Sequence, residues 1–209
     1  MSQVDVAPGR RRRRSAEEAE REIIEAAEGL LRERPFRELT VDEVMRRTGL
    51  SRPSFYVHFR DRHALVLRVV QHIEGELFTM SDRWYKGSGD GPSLVREALE
   101  GVVAVYERHG HVLRALSDAA SDHPEVELAY GTLVESFVAA TCAHIEEEIG
   151  QGEITGISNP REVARALVRL NEGYLGATLG RRDRGPEVPI AEVTDTLAAV
   201  WCRTLYGRT

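Results

Sequence analysis

Apolar residues recur along this chain at intervals of three and four, the spacing that lines one face of an α-helix. Nowhere do they alternate with polar residues long enough to make a strand. Residues 16–34 carry Ile23, Ile24, Ala27, Leu30 and Leu31 as one stripe, and Pro35 ends it. A helix over 41–48 and a short, aromatic-rich one after Ser51 come next, then a long helix from Asp61 in which Leu65, Val66, Val69 and Val70 share a face. The segment 86–92, KGSGDGP, is a loop by composition and marks the entrance to a second unit. Beyond it the pattern predicts helices at roughly 93–107, 109–120, 124–149, 160–180 and 190–206. His-Gly-His, Asp-His-Pro, a glycine-rich loop at 150–158 and the stretch 181–189 separate them. The expectation is an all-α protein of about nine helices without internal repeats.

The chemistry of 40–65 sharpens this. Thr40 and Glu43 have the spacing of a capping box, the hydroxyl taking the Glu43 amide and the carboxylate reaching back to the Thr40 amide. Val41, Val44 and Met45 then face one side while Asp42, Arg46 and Arg47 face out. Gly49 can take the left-handed conformation that stops a helix and reverses the chain. Ser51 is the next cap, Pro53 sits early enough for its missing amide proton to cost little, and Phe55, Tyr56 and Phe59 are the packing residues. Asp61 caps the long helix. Helix, glycine turn, helix is the helix-turn-helix pattern.

In such a unit the leading turn of the second helix enters the major groove, so Ser51, Arg52, Pro53 and Ser54 are candidate DNA-contacting residues. Arg52 is suited to bond two guanine acceptors at once, a contact that contributes about 1–3 kcal/mol of discrimination. The alternative is that Arg52 is a solvated surface charge and that Tyr56 and Phe59 only fill the core.

Charge changes the picture more than composition does. With 42% hydrophobic and 30% charged residues the chain has the makeup of an ordinary globular protein. The formal net charge is −6, yet residues 1–62 hold 14 Arg against 12 Asp or Glu, and the remainder holds 14 basic against 22 acidic residues. The basic end is the DNA end, because screening confines distant carboxylates to a reach of about 8 Å at physiological salt. Residues 10–14 are all arginine and read either as an arm that neutralises phosphate or as a disordered leader without function. They are followed by SAEEAERE, which excludes a secretory signal. No uninterrupted apolar run approaches the roughly 20 residues of a membrane span. Cys142 and Cys202 lack metal or disulfide spacing. The expectation is a cytoplasmic protein with no membrane contact, no metal and no cofactor, its cysteines in the core.

The run S-R-P-S-F-Y-V-H-F-R-D-R-H-A-L, residues 51–65, resembles the signature of the TetR family of bacterial transcriptional repressors. Arg62 stands where the family usually has Lys, and His63 beside it is a further departure. The resemblance implies that Ser54, Val57 and His58 face the groove and that Thr40, Tyr56 and Arg62 grip phosphate. It also implies three parts: an arm over 1–15, a DNA-binding unit over 16–62, and a ligand-binding and dimerisation unit over 63–209. More weakly, RLNEGYLGATLG at 169–180 and DTLAAVWCRTLYG at 195–207 resemble the EthR-like branch, whose second unit holds a long apolar channel. The matching positions are Val95, Val102, Tyr106, Phe137, Thr141, Asn171 and Trp201. Val95 and Val102 stand for expected aromatics, so a wider or differently shaped pocket is predicted.

Two of these positions can be read physically. Asn171 interrupts the apolar run Leu167, Leu170, Tyr174 and Leu175, and a buried amide needs a partner, either a ligand or a neighbouring helix. Trp201 reads as a core, interface or ligand residue. His109 and His111, at a predicted helix break, are expected to be solvated. The last two helices carry apolar residues beyond the needs of one core, namely Val163, Leu167, Leu175 and Leu179, and Val193, Leu197, Val200 and Leu205. Together they predict a four-helix homodimer interface and an inverted-repeat operator on double-stranded DNA. The function expected is repression relieved by a small hydrophobic effector; an activator, or a regulator without an inducer, is the alternative. No phosphate loop, nucleophile elbow or metal cluster suggests an enzyme.

Overall fold

Ser15 starts the first helix rather than ending the arm. Its hydroxyl accepts the Glu18 amide at 3.0 Å while the Glu18 carboxylate takes the Ser15 amide at 2.8 Å. The computed structural model describes residues 15–180 and 188–207, and the arginines at 10–14 lie outside them. Among the described residues there are eight α-helices, one 3₁₀ turn and no strand. Helix α1 (Ala16–Glu33) buries Ile23, Ala27, Leu30 and Leu31 as its spacing predicts. A turn at Phe36–Glu38 leads to α2 (Val41–Thr48), α3 (Arg52–His58) and the long α4 (Arg62–Tyr85).

Local sequence sets these boundaries. Thr40 Oγ1 accepts the Glu43 amide at 3.3 Å, but the other half of the expected box is missing. The Glu43 carboxylate takes the Thr40 hydroxyl at 2.9 Å and pairs with Arg34 instead of reaching the Thr40 amide. Gly49 closes α2 in the left-handed region at φ 67°, where a Cβ would clash with the backbone. Asp61 accepts the Ala64 amide at 2.9 Å, and that bond, with Arg60 alongside, holds its carboxyl below the usual range against the opposing effect of burial.

Beyond the loop come α5 (Gly91–Ala120), α6 (Pro124–Gln151), α7 (Pro160–Leu179) and α8 (Ile190–Tyr206). The expected break at His109-Gly110-His111 does not occur, and two predicted helices are one. Gly110 is buried because α7 ends against it: a Cβ there would lie 3.2 Å from the Leu179 carbonyl. The glycine serves a close helix approach, not a turn. His109 is accordingly buried rather than solvated, with both ring nitrogens near carboxylates of other helices.

The elements make a small head (α1 to α3 with the start of α4) and a larger helical body. Helix α4 packs on α5 and α6, α7 on α5 and α6, and α8 on α5. One core runs through both parts, from Phe55 and Leu65 in the head to Leu175 and Leu197 in the body. Helix α6 is long enough and, at a mean hydropathy of 1.2, apolar enough to cross a bilayer by composition, although polar residues interrupt its apolar run. Here 44% of that stretch is buried inside the protein.

Candidate nucleic-acid interface and inner cavity

Helix α3 stands on two aromatic feet. Phe55 and Phe59 are buried, their ring centroids 5.4 Å apart, and fix the helix to the core. The opposite face is free: Tyr56 is 51% exposed and Val57 77% exposed, with Arg52, Pro53 and Ser51 beside them. Tyr56 and Val57 thus stand side by side on this exposed face, next to the polar Ser51 and Arg52. Tyr56, read both as a packing residue and as a phosphate contact, meets Phe55 edge-on at 5.4 Å and stays half exposed.

Arg52, at the first position of α3, is not a free cation. Its guanidinium lies 2.8 Å from Asp42 on α2 and 3.4 Å from the Tyr56 hydroxyl. Ser51 makes no capping bond; its hydroxyl meets that of Ser54 at 3.0 Å. Thr40 caps α2, which leaves that hydroxyl committed to Glu43. Arg62 is half-buried, with its guanidinium 5.0 Å from the Phe36 ring centre and 3.4 Å from the Leu39 carbonyl. His58 is half-buried beside Phe59. Of the nine candidate residues, Ser51, Arg52, Pro53, Ser54, Tyr56, Val57 and His58 lie on or at the start of α3, where Arg52, Tyr56 and Val57 are exposed, while Thr40 and Arg62 start the flanking helices. Asp42, which holds Arg52, was missed in the sequence; its ten-residue separation from Arg52 gives no periodic signal.

Inside the body, α4, α5, α6, α7 and α8 enclose a cavity of about 80 Å³. Val102, Tyr106, Phe137, Thr141, Asn171 and Trp201 all line it. Val95 lies instead on a smaller adjoining cavity between α4, α5 and Trp201. The main cavity is small beside the roughly 300–1,000 Å³ that ligand pockets commonly hold. Phe78 stacks on Phe137 at 4.1 Å and the Tyr85 and Thr141 hydroxyls meet at 2.9 Å, so the walls are closed on one another. The amide of Asn171 has a protein partner, Trp201 Nε1, which donates to its Oδ1 at 3.0 Å.

Sequence reasoning missed Glu172 and Tyr130 in this wall. A periodic signal existed, since Val168, Asn171, Glu172 and Leu175 share a helix face, and a carboxylate among them is out of place on an apolar stripe. Burial first, then nearby charge, pushes the Tyr106 and Tyr130 phenols above their ordinary value, so both keep their protons.

The expected dimer surface is partly used up. Leu167, Leu175, Val193, Leu197 and Leu205 are buried within the chain itself, because α7 and α8 cover α5 and α6, and they offer no area to a second copy. Val163 and Leu179 are half-buried. What α7 and α8 leave exposed is Val200, at 39%, and Leu170, at 37%.

An open recognition face on a helix-turn-helix, joined by one long helix to a cavity-bearing helical body, defines a DNA-binding transcriptional regulator. Residues 23–69 match the bacterial regulatory proteins of the tetR family, and residues 95–207 match the C-terminal domain of transcriptional regulator EthR. The chain belongs to the TetR family, with an EthR-type C-terminal domain. It is 31% identical to the HTH-type transcriptional regulator EthR of Mycobacterium tuberculosis, over 99% of this chain and 96% of that one. The EthR of Mycolicibacterium smegmatis is 28% identical over 99% and 95% of the two chains. A TetR-family regulator from Streptomyces coelicolor shares the fold, with a TM-score of 0.71 at 18% identity over 90% of this chain and 81% of that one.

Proposed function

We propose that this protein is a homodimeric repressor that occupies an inverted-repeat operator and leaves it when a small, largely apolar ligand enters the inner cavity. Residues 16–62 read DNA, and 63–209 bind the ligand and the second copy. The observation that carries the reading is the span of α4: its first residue is Arg62, beside the recognition helix, and its last turns supply Leu77, Ser81 and Tyr85 to the cavity wall. A helix of 24 residues is about 36 Å long, so one rigid element joins the two sites.

The size of the cavity supplies the mechanism. A ligand of ordinary size does not fit the closed space, so it binds only a conformer in which the walls have moved apart. Its binding energy is therefore unequal between the two conformers, as any shift of population requires. Moving the α4 wall tilts the helix that holds the head, and in a dimer this changes the spacing of the two recognition helices against half-sites of fixed separation. The exposed Leu170 and Val200 on α7 and α8 are the anchors of the proposed dimer contact, with Val163 and Leu179 at its edge. Repression requires no metal or cofactor, and it operates where the chromosome is, in the bacterial cytoplasm.

Fluorescence anisotropy against duplexes tiled across the DNA upstream of its own gene tests the DNA half of this reading. Tight binding to one duplex, lost in Arg52→Ala, is the expected result. Equal, weak binding to every duplex that is erased by salt would overturn it.

A further inference from the structure

The inner cavity does not end at its apolar walls. Tyr106, Leu113, Tyr130 and Glu172 line it on one side and also line a second, polar chamber of about 220 Å³ on the other. Ser117, Arg114, Asp118 and the backbone around Gly176 complete this outer chamber. Two phenols and a carboxylate thus stand in the partition between an apolar space and a polar one. Both phenols are protonated, and Glu172 and Ser117 both lie near the Tyr130 hydroxyl.

The charges around the partition are not equivalent. Among the described residues that line the inner cavity, Glu172 is the one that carries a charge. Its side chain is 17% exposed, while its ion-pair partner Arg169, at 2.7 Å, is 54% exposed and approaches from the solvent side. The outer chamber has Arg114, but that guanidinium is shared between Asp118 at 3.8 Å and the Gly176 carbonyl at 3.4 Å, and Asp118 balances it. A group passing from the apolar chamber toward the polar one therefore meets a carboxylate whose counter-ion, Arg169, stands on its solvent side. Charge pairs count for most where walls of low dielectric exclude water, and an ion of the same sign would be repelled there. An apolar tail has the inner chamber, whose walls are aliphatic and aromatic side chains.

We propose that the effector is a cationic amphiphile, an amine whose apolar body fills the inner chamber and whose ammonium seats on Glu172 at the partition. This deepens the ligand-release reading and rests on it. The ammonium replaces Arg169 as the counter-ion of Glu172, and its hydrogens meet the carboxylate and the Tyr106 and Tyr130 oxygens. A fatty acid of the same length places carboxylate against carboxylate and is excluded. A neutral alcohol binds through its chain alone.

Both tryptophans report on the site: Trp201 lines the inner cavity, and Trp84 lies edge-on to it at 5.6 Å. The experiment titrates the full-length protein with n-decylamine, n-decanol and decanoate at pH 7 and follows tryptophan fluorescence. The expected order is amine at least about tenfold tighter than alcohol, with decanoate weakest. Glu172→Gln is expected to bring amine and alcohol within about twofold of each other. Arg169→Ala, which bares the carboxylate without touching the core, is expected to widen the preference for the amine. Amine and alcohol that bind alike in wild type and in both variants would overturn the charge assignment and leave the cavity as a ligand site. If decanoate binds tightest, the assignment is equally overturned. Absence of any fluorescence change with all three ligands would overturn the ligand reading itself.

Discussion

Glu28 on α1 and His109 on α5 face each other inside the protein, with Oε2 3.5 Å from Nδ1 and both side chains 8% exposed. On the far side of the ring Nε2 lies 3.4 Å from Glu76 of α4, which also pairs with Arg108 at 2.7 Å. The head thus touches the body through a buried imidazole between two carboxylates, next to the α4 lever. Among the described residues neither Nδ1 nor Glu28 Oε1 has a hydrogen-bond partner, yet removing one member leaves the other polar group buried beside a void, a loss of about 1–3 kcal/mol. Glu28→Ala and His109→Ala are each predicted to lower stability by that amount, and the double variant by clearly less than the sum. Urea unfolding of the four proteins measures this, and additive losses would show that the pair is not coupled.

In the proposed operator complex, Asp42 competes with DNA for Arg52. The pair is largely exposed, so it is weak, and its loss costs the fold little. Asp42→Asn frees the guanidinium and removes a negative charge near the phosphates. It is predicted to tighten operator binding a few-fold, whereas Arg52→Ala weakens it by about tenfold to a hundredfold, the range of one base contact. If Asp42→Asn weakens binding instead, Asp42 positions Arg52 and does not restrain it.

Acid is predicted to act through His144 on α6. Burial against Trp84 and Tyr85 holds this imidazole below its ordinary value of 6.5, more strongly than the carboxylates of Glu148 and Glu147 raise it. The unfolded chain therefore takes up the proton first. The contribution is fully present above about pH 6.5 and is lost as the pH falls from there through the lower folded value. His144→Gln is expected to flatten the stability profile between pH 7 and 5, as followed by thermal melts. An unchanged slope would assign the acid sensitivity to other groups.

Gly110 and Gly173 make a matched test of helix packing. Alanine is favoured over glycine in a helix interior by about 1 kcal/mol. At Gly173, where a Cβ meets nothing within 4 Å, that gain is predicted to appear in full. At Gly110 the added methyl meets the Leu179 carbonyl at 3.2 Å, and backbone cannot rotate away as a side chain can, so overpacking of about 1–3 kcal/mol exceeds the gain. Gly173→Ala should melt higher than wild type and Gly110→Ala lower.

These two glycines also mark where the sequence could be read and where it could not. Residues on one helix face announce themselves by spacing, and so α1, α6, α7 and α8 were legible to within two residues, as was the cap at Asp61. Gly110 looks the same in sequence whether it breaks a helix or admits another helix beside it, because the second helix lies some seventy residues away. The candidate site divides on the same line. Arg52, Tyr56 and Val57 share one short helix and were found together, whereas Asp42 and Arg52 meet only through the fold. Leu167 and Leu197 were read as surplus apolar surface because periodicity gives the face of a helix and not what lies across from it.

The most direct test of ligand-released repression is the operator affinity of one protein measured with and without a saturating cavity ligand, chosen as the compound that raises its melting temperature most. Ligand occupancy is followed by tryptophan fluorescence in the same cuvette. The account predicts that operator binding weakens at least about tenfold, and that the operator weakens ligand binding by the same factor, as linkage requires. A ligand that fills the cavity and leaves operator affinity unchanged would contradict it.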